Sequence, residues 1–172
     1  MTEIGRKLVY VGCRANVNRS FIAEQILLNY LRENPLPVEV RSGGVQVSEQ
    51  ACNMTFYPWI MPQFTQALHR MGLAYIIPAI SRHRSRPFTL PVIKEADLVL
   101  TMTKRQRDHL RNFATPHTKV LMLSQLADLG REEDVFDAML APESTVEAFV
   151  YQIAMLQYFL DLRAFRARLG FP

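Results

Sequence analysis

The chain has 172 residues, 49% hydrophobic and 21% charged, the balance of an ordinary globular domain rather than of a disordered or fibrous chain. Its formal net charge is +4, but the basic residues are scattered rather than gathered in a block, which argues against nucleic acid as a partner. Two cysteines, Cys13 and Cys52, are too few for a disulfide scaffold. No Cys/His cluster has zinc spacing, and no apolar stretch has the length of a signal core or a bilayer span, so the expectation is one cytoplasmic domain over residues 1–172 with no metal, no cofactor and no membrane insertion.

In chain order, residues 8–12 (LVYVG) form a short β-branched apolar run, and Ile22, Ala23, Ile26, Leu27 and Tyr30 then recur at helical spacing over residues 20–32. A second strand is expected at residues 38–41, closed by Ser42, Gly43 and Gly44. Residues 45–61 show no regular pattern and centre on Tyr57, Pro58 and Trp59; Phe64, Leu68 and Met71 then predict a helix stopped by Gly72. Residues 97–102 (DLVLTM) and 119–123 (KVLML) read as strands on either side of a polar helix over 104–113. Val146, Phe149, Val150, Ile153, Leu156, Phe159 and Leu160 share one apolar face, which predicts a single extended C-terminal helix over about residues 145–168. Its arginine-bearing end reads as a solvated tail or a contact surface.

Strands alternating with helices, without repeats or low-complexity tracts, predict an α/β fold: a three-layer domain with a central four-stranded parallel sheet flanked by helices. Ligands of such sheets bind at the carboxyl ends of strands. There the first strand runs into residues 13–20, CRANVNRS, just before a helix. Unpaired backbone N–H groups and the positive end of the helix dipole make that place an anion site, so Cys13, Arg14, Ala15, Asn16, Val17, Asn18, Arg19 and Ser20 form a candidate phosphate-binding loop. The dipole and Arg19 favour the thiolate form of Cys13 and make it a nucleophile. Arg19 can return over the sulfur and hold two oxygens of one phosphate with its planar fork. Ser20 either caps the helix or donates its hydroxyl to the sulfur. The competing reading makes Cys13 an inert buried thiol and Arg19 a surface residue.

Five segments, in order and rough spacing, resemble the low-molecular-weight protein tyrosine phosphatases: YVGCRANVNRSFIAE, RSGG, HRSRPFT, ADLVLTM and DVFDAM. The resemblance implies a phosphatase that hydrolyses protein phosphotyrosine through a phosphocysteine intermediate. Cys13 would attack phosphorus, Arg19 would clamp the phosphate, and Asp137 would serve as general acid and then base. Asp134, three residues earlier, is the competing carboxylate. The resemblance also implies a supporting network of Asn16, Ser20, Ser42 and His83; the plainer reading of His83 is an exposed histidine in a basic turn. The partners implied are a tyrosine-phosphorylated protein and inorganic phosphate or sulfate in the loop.

The match departs from the family at several places. Ala15 stands where the family has glycine, which would cost about 1 kcal/mol if that site needs positive φ. Phe21 and Ala138 replace prolines, and Met139 replaces an aromatic residue, so the aromatic Tyr57 and Trp59 are offered with Met139 as a possible substrate wall. Asn18 replaces a second loop cysteine, leaving an oxidised Cys13 without a disulfide partner in the loop. Alternatives are a degenerate loop that binds a phosphoprotein or another anion with little turnover, an arginine phosphatase, in which threonine would stand at Val17, and an arsenate reductase, which would need two cysteines besides the nucleophile.

Overall fold

The computed structural model describes residues 5–47 and 52–172. Its elements follow in the order β1 (Lys7–Cys13), α1 (Arg19–Glu33), β2 (Val38–Gly44), α2 (Met61–Arg70), α3 (Ile77–Ile80), α4 (Leu90–Glu95), β3 (Leu98–Thr101), α5 (Lys104–Arg111), β4 (Lys119–Met122), α6 (Val146–Phe159) and α7 (Leu162–Arg168). The four strands form one parallel sheet in the order β2-β1-β3-β4. This is the α/β architecture expected, with β1 flanked by a strand on each side.

Alternation along the strands separates two cores, because successive side chains of a strand point to opposite faces. Val9, Val11, Leu98 and Leu100 pack under α1, α2, α6 and α7, where Phe64 and Phe149 meet edge to face at 5.4 Å. Tyr10, Val99 and Val120 face the other way, against Ile93 of α4 and Leu110 of α5. Each fully buried Leu, Ile or Phe contributes about 1.5–3 kcal/mol, so packing rather than helix propensity holds these layers together.

The C-terminal segment corrects one expectation, because it is two helices rather than one over 145–168. Leu160 leaves the helical region at ψ 66°, and the Asp161 carboxylate accepts from the backbone N–H groups of Arg163 and Ala164, both at 2.9 Å, starting α7 afresh. Nor is its end a solvated tail. Phe165, Leu169 and Phe171 are buried in the larger core.

Two further helices, α3 and α4, each with proline in the first turn, lie where no periodicity announced them. Gly72 ends the turn after α2 with φ +71°, the conformation that favours glycine. Part of the irregular stretch 45–61, residues 48–51, lies outside the described residues; Met54–Phe56 form a 3-10 turn capped by Asn53. Among the described residues no helix is long and apolar enough to cross a membrane.

Candidate active site

β1 ends on Cys13 and α1 begins on Arg19, so residues 14–18 make a loop between the sheet and the start of a helix. The strand beside it continues the pairing: Val45 N–H donates to Cys13 O at 3.0 Å and Gln46 N–H to Arg14 O at 2.8 Å. This approach requires glycine at position 44, where a Cβ would stand 2.7 Å from Arg14 O and 2.9 Å from the Ala15 carbonyl carbon. Among the described residues, the backbone N–H groups of Ala15, Val17, Asn18 and Arg19 have no protein acceptor, which leaves them free to bind oxygens of an anion.

Asn16 organises the loop. It is the only described non-glycine residue with positive φ, +55°, a conformation asparagine tolerates better than most residues. Ala15 therefore does not carry the positive φ that would have penalised its methyl group. The Asn16 backbone N–H donates to Cys13 Sγ at 3.2 Å. Its Oδ1 accepts from Arg86 N–H at 2.9 Å, which fixes the amide orientation, and its Nδ2 donates to Ser20 Oγ at 3.0 Å and to Ser42 Oγ at 2.8 Å. Ser20 Oγ also contacts Cys13 Sγ at 3.0 Å and can donate its hydrogen there when the sulfur is ionised. The Asn16 N–H and the Ser20 hydroxyl thus both lie against the sulfur, where they can stabilise negative charge that develops on it during a reaction.

His83 is buried and closes the same network. A carbonyl can only accept, so the 2.6 Å contact to Asn16 O is a donation from His83 Nε2–H. Burial, reinforced by Arg86 and Arg84, holds the imidazole below its ordinary range despite that hydrogen bond, and keeps it neutral. Ser42 passes its hydrogen to Glu24 at 2.8 Å. Burial pushes the Glu24 carboxyl above the usual range, opposed by Ser42 and by Arg86.

Arg19, also buried, points toward the segment before α6. Its Nη1 donates to Val135 O at 2.9 Å and its Nη2 pairs with Asp137 Oδ2 at 2.5 Å. Asp137 in turn accepts from Met139 N–H at 3.2 Å. Asp134 is placed differently, receiving the backbone N–H of Lys104 at 2.8 Å. Of the two carboxylates, Asp137 is the one joined to the loop.

A cavity of about 350 Å³ opens over Cys13, with Val17, Arg19, Cys52, Tyr57, Asp137 and Met139 among its walls. Tyr57 and Met139 thus stand where a wall was expected, and Leu140 joins them. Trp59 does not line this cavity: it is 67% exposed and meets only the edge of Tyr57, with ring centroids 5.9 Å apart. Among the described residues no group of three or more His, Cys, Asp or Glu is placed to hold a metal ion.

Besides Leu140 and Arg86, three more residues of the site escaped the sequence reading. Gln152 of α6 is fully buried, exchanges two hydrogen bonds with Asn18 and accepts from Ala138 N–H at 3.0 Å. That last donor exists because residue 138 is not proline. The signal was a lone amide on the apolar face between Phe149, Ile153 and Leu156. Glu24 is a carboxylate on the buried side of α1, a position costly unless it is partnered. Gln46, which accepts from Arg14 Nε at 3.2 Å, lies in a stretch without periodicity and gave no signal.

The family model described as low molecular weight phosphotyrosine protein phosphatase matches residues 7–154. A search of curated proteins finds no match. Among solved structures, the low molecular weight protein tyrosine phosphatase of T. tengcongensis superposes with a TM-score of 0.69 at 23% identity, covering 90% of this chain and 95% of its own. The YwlE arginine phosphatase of Geobacillus stearothermophilus gives 0.66 at 21% identity over 94% and 93%. Vibrio vulnificus Wzb in complex with benzylphosphonate gives 0.63 at 18% identity over 94% and 99%.

Proposed function

The chain belongs to the low molecular weight phosphotyrosine protein phosphatase family and is a cysteine-dependent phosphatase; from that premise we propose that it hydrolyses phosphotyrosine in proteins, with Cys13 as nucleophile, Arg19 as phosphate clamp and Asp137 as general acid and base. One observation carries the reading: the Cys13 sulfur receives a hydrogen bond from Asn16 N–H and lies 3.0 Å from the Ser20 hydroxyl at the start of α1. In the first step the thiolate attacks phosphorus as the P–O bond to the phenol breaks, and Asp137 gives the departing oxygen its proton. In the second, water attacks phosphorus, Asp137 takes its proton, and the S–P bond breaks to release phosphate and regenerate the thiolate. Ser20 and Asn16 stabilise the sulfur as it leaves.

Arg19 uses one N–H on Val135 and one on Asp137, so the rest of its fork remains for phosphate oxygens. The same guanidinium keeps the acid beside the leaving group. Walls of Val17, Tyr57, Met139 and Leu140 suit a phenyl ring, whereas a phosphoarginine would bring a charged guanidinium against the apolar Val17. Inorganic phosphate or sulfate would occupy the loop as product or mimic. A nucleophilic thiol and a second free cysteine fit a reducing compartment such as the cytoplasm.

Turnover of a phosphotyrosine peptide, a phosphoarginine peptide and p-nitrophenyl phosphate by wild type, Cys13→Ser and Asp137→Asn tests this. The tyrosine substrate is expected to react faster than the arginine one, with no turnover by Cys13→Ser. A preference for phosphoarginine would overturn the substrate assignment. Wild-type turnover no faster than that of Cys13→Ser, with phosphate still bound, would make the protein a binding module.

A further inference from the structure

A second cavity of about 740 Å³ lies beside the one over Cys13, and Arg14, Arg19, Gln46, Asp137 and Leu140 line both. The two are one cleft with a deep part at the nucleophile and a wider part running to α5. The wider part is bounded by Arg14 from the loop and by Arg105 and His109 from α5, all exposed. These basic groups come from different elements and face the same space.

Among the described residues no carboxylate is paired with the two arginines of this group. Elsewhere on α5, Arg107 pairs with Asp108 and Glu132, and Lys104 pairs with Glu132. Among the described residues neither Arg14 nor Arg105 has a carboxylate within 4.0 Å. Two carboxylates border the cavity. Asp137 is neutralised by Arg19, and Asp134 accepts the Lys104 backbone N–H. Among the described residues, two unpaired guanidiniums therefore face one carboxylate not paired with a cation. Gln46 holds Arg14 by its Nε, which orients the side chain and leaves its terminal nitrogens available.

We propose that this wider cavity is a subsite for a second anionic group on the substrate, so that the enzyme selects phosphotyrosine flanked by an acidic side chain or a second phosphate. The proposal rests on the phosphatase reading and adds the substrate class to it. The deep pocket takes the aryl phosphate, the neighbouring backbone crosses the rim at Leu140 and Gln46, and the flanking anion meets Arg14 and Arg105. A cavity twice the volume of the nucleophile pocket has room for an adjoining peptide segment rather than for one oxyanion. Attraction of this kind acts between exposed groups and is screened by salt.

The test compares kcat/KM for phosphotyrosine peptides with acidic, neutral or phosphorylated flanks, beside p-nitrophenyl phosphate, which is too small to reach the second cavity. Wild type is expected to prefer the acidic or the doubly phosphorylated peptide over the neutral one by about threefold to tenfold at low salt, and the preference should shrink in high salt. Whichever peptide is preferred identifies carboxylate or phosphate as the natural anion. Arg105→Glu and Arg105→Ala should abolish the preference while leaving p-nitrophenyl phosphate turnover within about twofold, since among the described residues the exposed Arg105 has no salt bridge and does not line the cavity over Cys13. Equal rates for all flanks, or a preference that survives in both variants, overturn the subsite. Should wild type hydrolyse none of these esters, the phosphatase reading fails separately, and calorimetric affinities of the Cys13→Ser protein for the same peptides decide the subsite by the same ratios.

Discussion

Asn18 and Gln152 hold each other by both halves of their amides, at 2.9 and 3.0 Å, across 134 positions of sequence. Because Gln152 also takes the Ala138 N–H, one buried side chain ties the nucleophile loop to the residue after the candidate acid. Gln152→Leu leaves these partners without a hydrogen bond, at about 1–3 kcal/mol for each unsatisfied group. The melting temperature is expected to fall. With Asp137 loosened, kcat should drop about tenfold with little change in KM. A variant less stable but unchanged in kcat would make Gln152 part of the packing alone.

Asp137→Asn should lower kcat by about 100-fold or more, since general acid catalysis typically contributes that much. The loss should be smaller for aryl phosphates with more acidic phenols, which depart without a proton. Asp134→Asn, which keeps an acceptor for Lys104 N–H, should change kcat less than about threefold. Steady-state rates over a series of leaving groups check both; equal losses in the two variants would sink the assignment of the acid.

Stability should depend on pH through His83. Its folded imidazole sits below the ordinary value of 6.5, chiefly through burial, so below about that pH the unfolded chain binds the proton more readily than the folded one. Stability is then unaffected well above pH 6.5, decreases as the pH falls through 6.5 toward the folded value, and loses nothing further from this group below that value. His83→Asn should flatten that part of the melting-temperature profile relative to wild type. A variant with the same slope would place the proton elsewhere.

Ala15→Gly restores the family's residue but should not improve the enzyme. Ala15 has no positive φ to relieve, so the change only frees the unfolded chain and is expected to cost about 0.4–1 kcal/mol with kcat/KM unchanged. Chemical denaturation and steady-state kinetics measure the two effects separately. A gain in phosphate affinity would show that the methyl group strains the loop.

Peroxide should inactivate the protein without rescue by thiols. Asn18 is engaged with Gln152 and is no thiol, while Cys52, though it borders the same cavity, has its N–H and carbonyl both bonded to Ser85, at 2.8 and 2.9 Å. Its sulfur is held by the Ser85 hydroxyl, 3.7 Å away, a contact that a disulfide to Cys13 would give up. Mass spectrometry is expected to show Cys13 oxidised beyond the sulfenic acid. An intramolecular Cys13–Cys52 disulfide reversed by reductant would refute this.

The sheet and the loop that links β1 to α1 were legible because both are local. A β-branched run followed by Cys13, Arg19 and a helical spacing needs no distant contact to be recognised. The C-terminal break was not legible, since Leu160 continues the apolar pattern and only the cap geometry of Asp161 interrupts it. Trp59 was misplaced for a related reason: aromatic character says that a ring will seek contact, not which cavity it will meet. Gln152 and Glu24 are tertiary facts, polar groups whose partners arrive from other elements.

The bonding of Asn16 has a thermodynamic corollary. Its backbone N–H and C=O and both ends of its side-chain amide are engaged by the protein itself, so the unusual backbone turn is held before any anion arrives. Ligand binding then carries little ordering cost in the loop, and crystals grown without oxyanions should show the same loop path. Any rise in melting temperature with added phosphate should follow simple mass action at one site, without the steeper dependence of a loop that folds around its ligand.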